Sequence, residues 1–149
     1  MKNNMRKTVQ MLLAGLLVST VALAQKSANV EIIELNAKIF KEKVWNFEKD
    51  KSFKRIGNLP IILDFHAVWC GPCKILSPHL QAIQNKYKGK LIVYKIDVDK
   101  DPELAQRFKV NAMPTMIFIG TKDKYKAEIG YGGDFNELEK MVKTNLSLN

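Results

Sequence analysis

A chain of 149 residues with 24 Lys and Arg against 15 Asp and Glu carries a formal charge of +9, with 46% hydrophobic and 26% charged residues. That length suits one domain with its own core and is short for two, and the composition excludes a disordered or low-complexity chain. The basic balance does not mark a nucleic-acid partner: the lysines are spread over every segment and lack interleaved aromatic residues, the pattern of a solvated surface.

The first segment differs from the rest. Lys2, Arg6 and Lys7 precede the apolar run Met11 to Val21, which ends in Ala22-Leu23-Ala24. A basic start, an apolar run too short to span a bilayer comfortably and an A-x-A ending are the marks of a secretory signal peptide. The expected organisation is a signal peptide at 1–24, cleaved near Ala24, and one domain at 25–149, exported to a periplasm of the Gram-negative type. Loss of the segment leaves 21 basic against 15 acidic residues, a charge of +6.

Along the remaining chain, Val30 to Leu35 is rich in branched residues and predicts a strand. Asn36 is placed to cap a helix in which Ile39, Phe40, Val44 and Phe47 recur at helical spacing to about Lys49. A polar loop, DKSFKRIGN at 50–58, leads to Pro60 and the strand Ile61 to His66, a nearly continuous apolar run suited to a sheet covered on both faces. After WCGPC a helical pattern runs from Lys74 to Ile83, with a kink expected at Pro78. Lys90 to Ile96 predicts a further strand, and Asp101-Pro102 an N-cap and first helical position for a helix to about Phe108. Pro114 to Ile119 and Lys124 to Ile129 read as antiparallel strands across a short polar turn. Asp134-Phe135-Asn136-Glu137 is a capping-box pattern opening a last helix with Leu138, Met141 and Val142 on its apolar side. The order βαβαβαββα predicts an α/β fold, a three-layer sandwich with a mixed five-stranded sheet between helices.

Both cysteines of the chain, Cys70 and Cys73, lie within WCGPC. Two thiols so close fit a structural staple, half of a metal site or a reversible redox couple. A structural zinc site needs about four ligands, and the only histidines are His66 and His79, the latter well along the helix, so no metal is expected. A small exported domain that depended on staples would carry more than one closely spaced pair. Catalysis is the remaining use of a single CxxC. A cysteine at a helix N-terminus faces unpaired N–H groups and the positive end of the helix dipole, both of which favour the thiolate, which makes Cys70 the candidate nucleophile. Cys73, nearly one turn on and on the same face, is placed to resolve a mixed disulfide. It is expected to be the more buried of the two and to need a base. Asp64, an acid within an apolar strand, has no reason to be there without a partner or a task.

These residues together resemble the thioredoxin family, over roughly residues 30 to 148: Asp64-Phe65 ahead of the motif, Ala67, WCGPCK, Pro78, Lys95, Asp97, Asp99, Met113-Pro114-Thr115 and Gly130. The resemblance implies a thioredoxin-like fold and a thiol–disulfide oxidoreductase with no cofactor beyond the redox-active disulfide of Cys70 and Cys73. It implies that Asp64 is a buried proton acceptor near the resolving cysteine, with Lys95 alongside. Trp69, Gly71, Pro72, Met113, Pro114 and Gly130 become supporting or substrate-binding residues, with Pro114 a cis-proline facing the dithiol. Proline has no N–H, so the neighbouring backbone is left to pair with an extended substrate, which would lie as a short strand against Met113. The partners implied are proteins carrying disulfides or thiols, met by a monomer.

Two positions depart from the family pattern. His66 and Val68 stand where its cytosolic members carry a Trp and an acidic or other polar residue. Strand alternation puts Asp64 and His66 on one face, so His66 is a packed ring or a group that tunes the redox centre. The Gly-Pro spacer resembles that of reducing thioredoxins, whereas export separates the protein from cytosolic reductants and calls for a membrane-bound redox partner. An oxidant or isomerase of exported proteins and a redox-inert binding module are the alternative readings.

Overall fold

The structure, a computed structural model, describes residues 29–148; the expected signal segment lies outside them. Nine elements follow in order: β1 (Ile33–Glu34), α1 (Ala37–Lys43), β2 (Ile61–His66), α2 (Gly71–Lys86), β3 (Ile92–Asp97), α3 (Pro102–Arg107), β4 (Thr115–Ile119), β5 (Tyr125–Ile129) and α4 (Phe135–Leu146). The sheet order is β1-β3-β2-β4-β5. β1, β3 and β2 run parallel, and β4 and β5 join antiparallel, so the mixed five-stranded sheet is as expected.

Alternation along the strands sorts the core into two layers. Ile61, Leu63 and Phe65 of β2 pack with Tyr94 and Ile96 of β3 against Phe40 of α1 and Leu104 of α3. Ile62, Val93, Met116 and Phe118 face the opposite way, against Leu76, Leu80 and Ile83 of α2 and Leu138, Val142 and Leu146 of α4. β2 is central, with β3 and β4 on its two sides, and all its residues but His66 are buried. This explains why its sequence is almost wholly apolar.

Several elements are shorter than their patterns. α1 ends at Lys43, well before Lys49, because Asn46 offers a local alternative: its side-chain oxygen accepts the N–H groups of Glu48 and Lys49 and its carbonyl those of Lys49 and Asp50. Val44, Trp45 and Phe47 are buried all the same, with the Arg107 guanidinium stacked 3.6 Å over the Phe47 ring. Only Ile33 and Glu34 of the expected first strand pair as β1. Upstream, the Val30 N–H goes to Asn85 and its carbonyl accepts from Gln81, both on α2. α2 runs unbroken through Pro78, which has no N–H to return to Lys74.

Two caps also differ from expectation. Asp134 accepts the N–H groups of Asn136 and Glu137, half of the capping box; no returning bond from Glu137 is present among the described residues. Asp101 makes no side-chain cap of α3. Its carboxylate instead accepts the Ala37 N–H at 2.9 Å, tying the start of α3 to the start of α1. Asp101→Ala is expected to lower stability by about 1 kcal/mol through that lost, part-buried bond, read as a reduced urea midpoint with an unchanged slope.

Candidate functional site

α2 begins where β2 ends. Ala67, Val68 and Trp69 cross from strand to helix, and the Cys70 N–H donates to the Ala67 carbonyl at 3.1 Å. Cys70 is thereby the N-cap of α2 in an extended conformation, and its sulfur accepts the Cys73 N–H at 3.3 Å. Pro72, between them, has no N–H to offer, so the Cys73 N–H is the first-turn donor aimed at the sulfur. The two cysteines are joined as a disulfide with Cα atoms 5.3 Å apart. Each is 4% exposed, so in the disulfide state Cys73 is not the more buried of the pair. What distinguishes them is position, Cys70 at the cap beside exposed neighbours and Cys73 within the first turn.

Those neighbours form an exposed rim. Trp69 is 63% exposed, and Val68, Gly71, Pro72 and Ile75 lie open as well. The Trp69 ring is anchored by its Nε1–H, which donates to Asp99 at 2.8 Å, and the Asp99 N–H in turn donates to Asp97. Sequence reasoning assigns Asp99 no such task; the two residues are 30 positions apart, and no local pattern links them.

Across from the dithiol, the Met113–Pro114 bond is cis, as the resemblance implied. Ala67, Cys70, Cys73 and Met113 share one apolar cluster with Val98. The loop is held on two sides: the Thr115 hydroxyl donates to the Ala112 carbonyl at 2.7 Å, and the Gly130 N–H to the Pro114 carbonyl at 2.8 Å. Gly130 has φ +82°, a conformation costly for a residue with a Cβ.

Beneath this surface lies the polar face of β2. Asp64 is fully buried and neither carboxylate oxygen has a hydrogen-bond partner. Burial raises its pKa to about 6, opposed by the charge of Lys95. Lys95 is its register partner on β3, but the Lys95 ammonium donates to Ser77 of α2 at 2.7 Å. His66, two residues on, pairs in register with Asp97, and its Nε2 is buried, unbonded and 3.9 Å from a Glu34 oxygen. Burial and then Lys95 push its pKa down against the pull of Asp97 and Glu34, so the ring is neutral at pH 7. His79 lies apart, bonded to the Tyr131 hydroxyl and edge-on to Tyr131 and Phe135. No group of three or more His, Cys, Asp or Glu side chains among the described residues is arranged to hold a metal.

Fold and site together define a dithiol–disulfide exchange protein: a cysteine pair capping a helix at the carboxyl end of a central strand, faced by a cis-proline loop. Residues 31–144 match the Thioredoxin family profile, and the chain belongs to the thioredoxin family. It is 37% identical over 99 residues to a thioredoxin of Borreliella burgdorferi, covering 66% of this chain and 85% of that one. It is 51% identical over 82 residues to Thioredoxin-1 of Drosophila melanogaster, 55% and 75% of the two chains. Among solved structures, oxidised mitochondrial thioredoxin 3 of Saccharomyces cerevisiae superposes with a TM-score of 0.57 at 33% identity, covering 76% of this chain and 94% of that one. The protein is a thiol–disulfide oxidoreductase acting on protein disulfides.

The buried carboxyl has a measurable consequence. Between pH 3.8 and about 6 the unfolded chain releases the Asp64 proton while the folded protein keeps it, so this group lowers stability as pH rises through that window and by a constant amount above it. The full effect is about 3 kcal/mol. Asp64→Asn is therefore expected to raise the unfolding free energy of the oxidised protein at pH 8 by up to that amount, read from urea titrations as a higher midpoint, and to leave it nearly unchanged at pH 3.5.

Proposed function

We propose that the protein is an exported, periplasmic reductant of disulfides in other exported proteins, acting as a monomer. The observation that carries the chemistry is the Cys70 sulfur at the α2 N-cap, receiving the Cys73 N–H at 3.3 Å. Unpaired helix N–H groups and the helix dipole stabilise negative charge on that sulfur. In the reduced protein the Cys70 thiolate attacks one sulfur of a partner's disulfide, forming a mixed disulfide and releasing the partner's other sulfur as a thiolate that takes up a proton. Cys73, deprotonated by Asp64, attacks Cys70, and the partner leaves with both sulfurs reduced while the Cys70–Cys73 disulfide forms. Two electrons have passed to the partner.

The partner's extended backbone lies beside Met113 and Pro114, with Gly130, Gly71, Pro72 and the Trp69 ring completing the walls of the contact. Lys95 tunes the protonation of the buried carboxyl from its register position, and His66 tunes the redox centre from the same face of β2. The Gly-Pro spacer favours the reducing direction. The segment ahead of the domain, with its basic start, apolar run and Ala22-Leu23-Ala24 ending, supports export, and an exported reductant needs a membrane-bound donor to return its electrons.

Insulin reduction with dithiothreitol is expected to be accelerated by the wild type and to fall to the uncatalysed rate with Cys70→Ser, while Cys73→Ala traps mixed disulfides with exported proteins. An equilibrium potential near that of strong oxidants would overturn the reductant reading. Fractionation and N-terminal sequencing test export separately: the expected product is periplasmic and begins just after Ala24, and a full-length cytoplasmic chain would sink it.

A further inference from the structure

The sharpest anomaly in the molecule is a buried carboxyl with no partner beside a lysine that could be one. Asp64 and Lys95 occupy paired positions on β2 and β3, on the face covered by α2, yet they make no ion pair and both Asp64 oxygens are unbonded. A carboxylate left this way in a buried site carries the whole cost of its desolvation, and a neighbouring ammonium would ordinarily turn toward it. Here that ammonium is engaged elsewhere, with its Nζ on the Ser77 hydroxyl at 2.7 Å, at the wall of a surface groove also lined by Glu31, Lys74 and Pro78.

We propose that Ser77 is a positioning residue of the redox site: its hydroxyl holds the Lys95 ammonium against α2 and away from Asp64, so that the carboxylate remains a base able to take the Cys73 proton. The inference rests on Asp64 serving as that base and adds the device that keeps it one. Ser77 lies four residues beyond Cys73 on α2, one turn along the same side of the helix, so a single helix presents both the thiol and the tether. Glu34, the register partner of Lys95 on its other side, is paired with Lys100 at 2.8 Å, and the Lys95 ammonium bonds Ser77. The remaining groups around Asp64 leave Lys95 as the cation that matters. His66 is the next residue of its own strand on this face and is neutral at pH 7, and Asp97 beyond Lys95 is bonded to Lys100 and the Asp99 N–H. On the β4 side the row continues through Met116 to Glu128 of β5, itself paired with Lys126. Lys74 of α2 is exposed at the groove rim, and α4 presents Leu138, Val142 and Leu146 to this layer. Burial keeps the Asp64 pKa at about 6 with Lys95 held off. With the hydroxyl gone, the ammonium is released from α2 and the orphaned carboxylate at its paired position on β2 is open to it, and a paired carboxylate holds its proton less tightly.

The test is a carboxyl ¹³C NMR titration of Asp64 in the reduced full-length domain, wild type against Ser77→Ala and Ser77→Thr. Ser77→Ala is expected to lower the midpoint by about one unit, a tenfold loss of proton affinity, and to slow release of the mixed disulfide at pH 7 several-fold. Ser77→Thr, which keeps the hydroxyl, is expected to titrate as the wild type does. In a Lys95→Met background the Ser77→Ala shift should vanish. A midpoint unmoved by Ser77→Ala, or a shift that survives without Lys95, overturns the proposal. Whether Asp64 acts as the base at all is judged independently, by the resolution rate of Asp64→Asn, so the two failures are distinguishable.

Discussion

The connection from β2 to α2 governs the rest of this site. Only Ala67, Val68 and Trp69 separate the central strand from the N-cap of the helix that carries both cysteines, and the Cys70 N–H is returned to Ala67 within that span. The helix N-terminus therefore cannot move relative to the sheet without breaking into the core layer made by Ile62, Leu76 and Leu80. A sulfur placed at that cap is held against the helix's unpaired N–H end by the packing of the domain, and the chemistry uses a position that folding has already stabilised.

A second constraint follows from the sheet order. Because β1, β3 and β2 are parallel and in register, Glu34, Lys95 and Asp64 form one row and His66 and Asp97 the next, all on the face covered by α2. Charge in this layer is distributed unequally: Lys100 links Glu34 with Asp97 at the outer side, Lys95 is tied to Ser77, and Asp64 alone keeps both oxygens free. That unpaired carboxyl destabilises the folded protein near neutral pH and at the same time gives the site a group that titrates far above the ordinary aspartate range. Lys95 stays close enough to lower that pKa while its ammonium bonds Ser77 and forms no pair with Asp64.

Much of this architecture is legible in residue order and type. The alternation of β2, the helical spacing in α2 and α4 and the turn between β4 and β5 are local patterns enforced by periods of 2 and 3.6 residues, and they locate elements to within a few residues. The cysteine pair with the acid in the apolar strand just before it, and Met113-Pro114-Thr115 about 40 residues on, point to the same site from two distant parts of the chain. Where the patterns mislead, a nonlocal or side-chain competitor intervenes: Asn46 ends α1, the α2 residues Gln81 and Asn85 capture the backbone before β1, and Asp101 turns from its own helix to Ala37.

The sequence alone determined the layer architecture, the class of chemistry and the identity of the reacting sulfurs, because each depends on residue type and spacing within a short segment. Only the tertiary structure decided that Asp99 anchors Trp69, that both cysteines are equally shielded in the disulfide, that the His66 ring is neutral and that Lys95 answers to Ser77 and not to Asp64. The cysteines and the His66 ring answer to the packing around them, and the choice of acceptor for Trp69 and for Lys95 is one that sequence leaves equally open. It is settled by which side chains the register of β1, β3 and β2 and the docking of α2 bring within hydrogen-bonding distance.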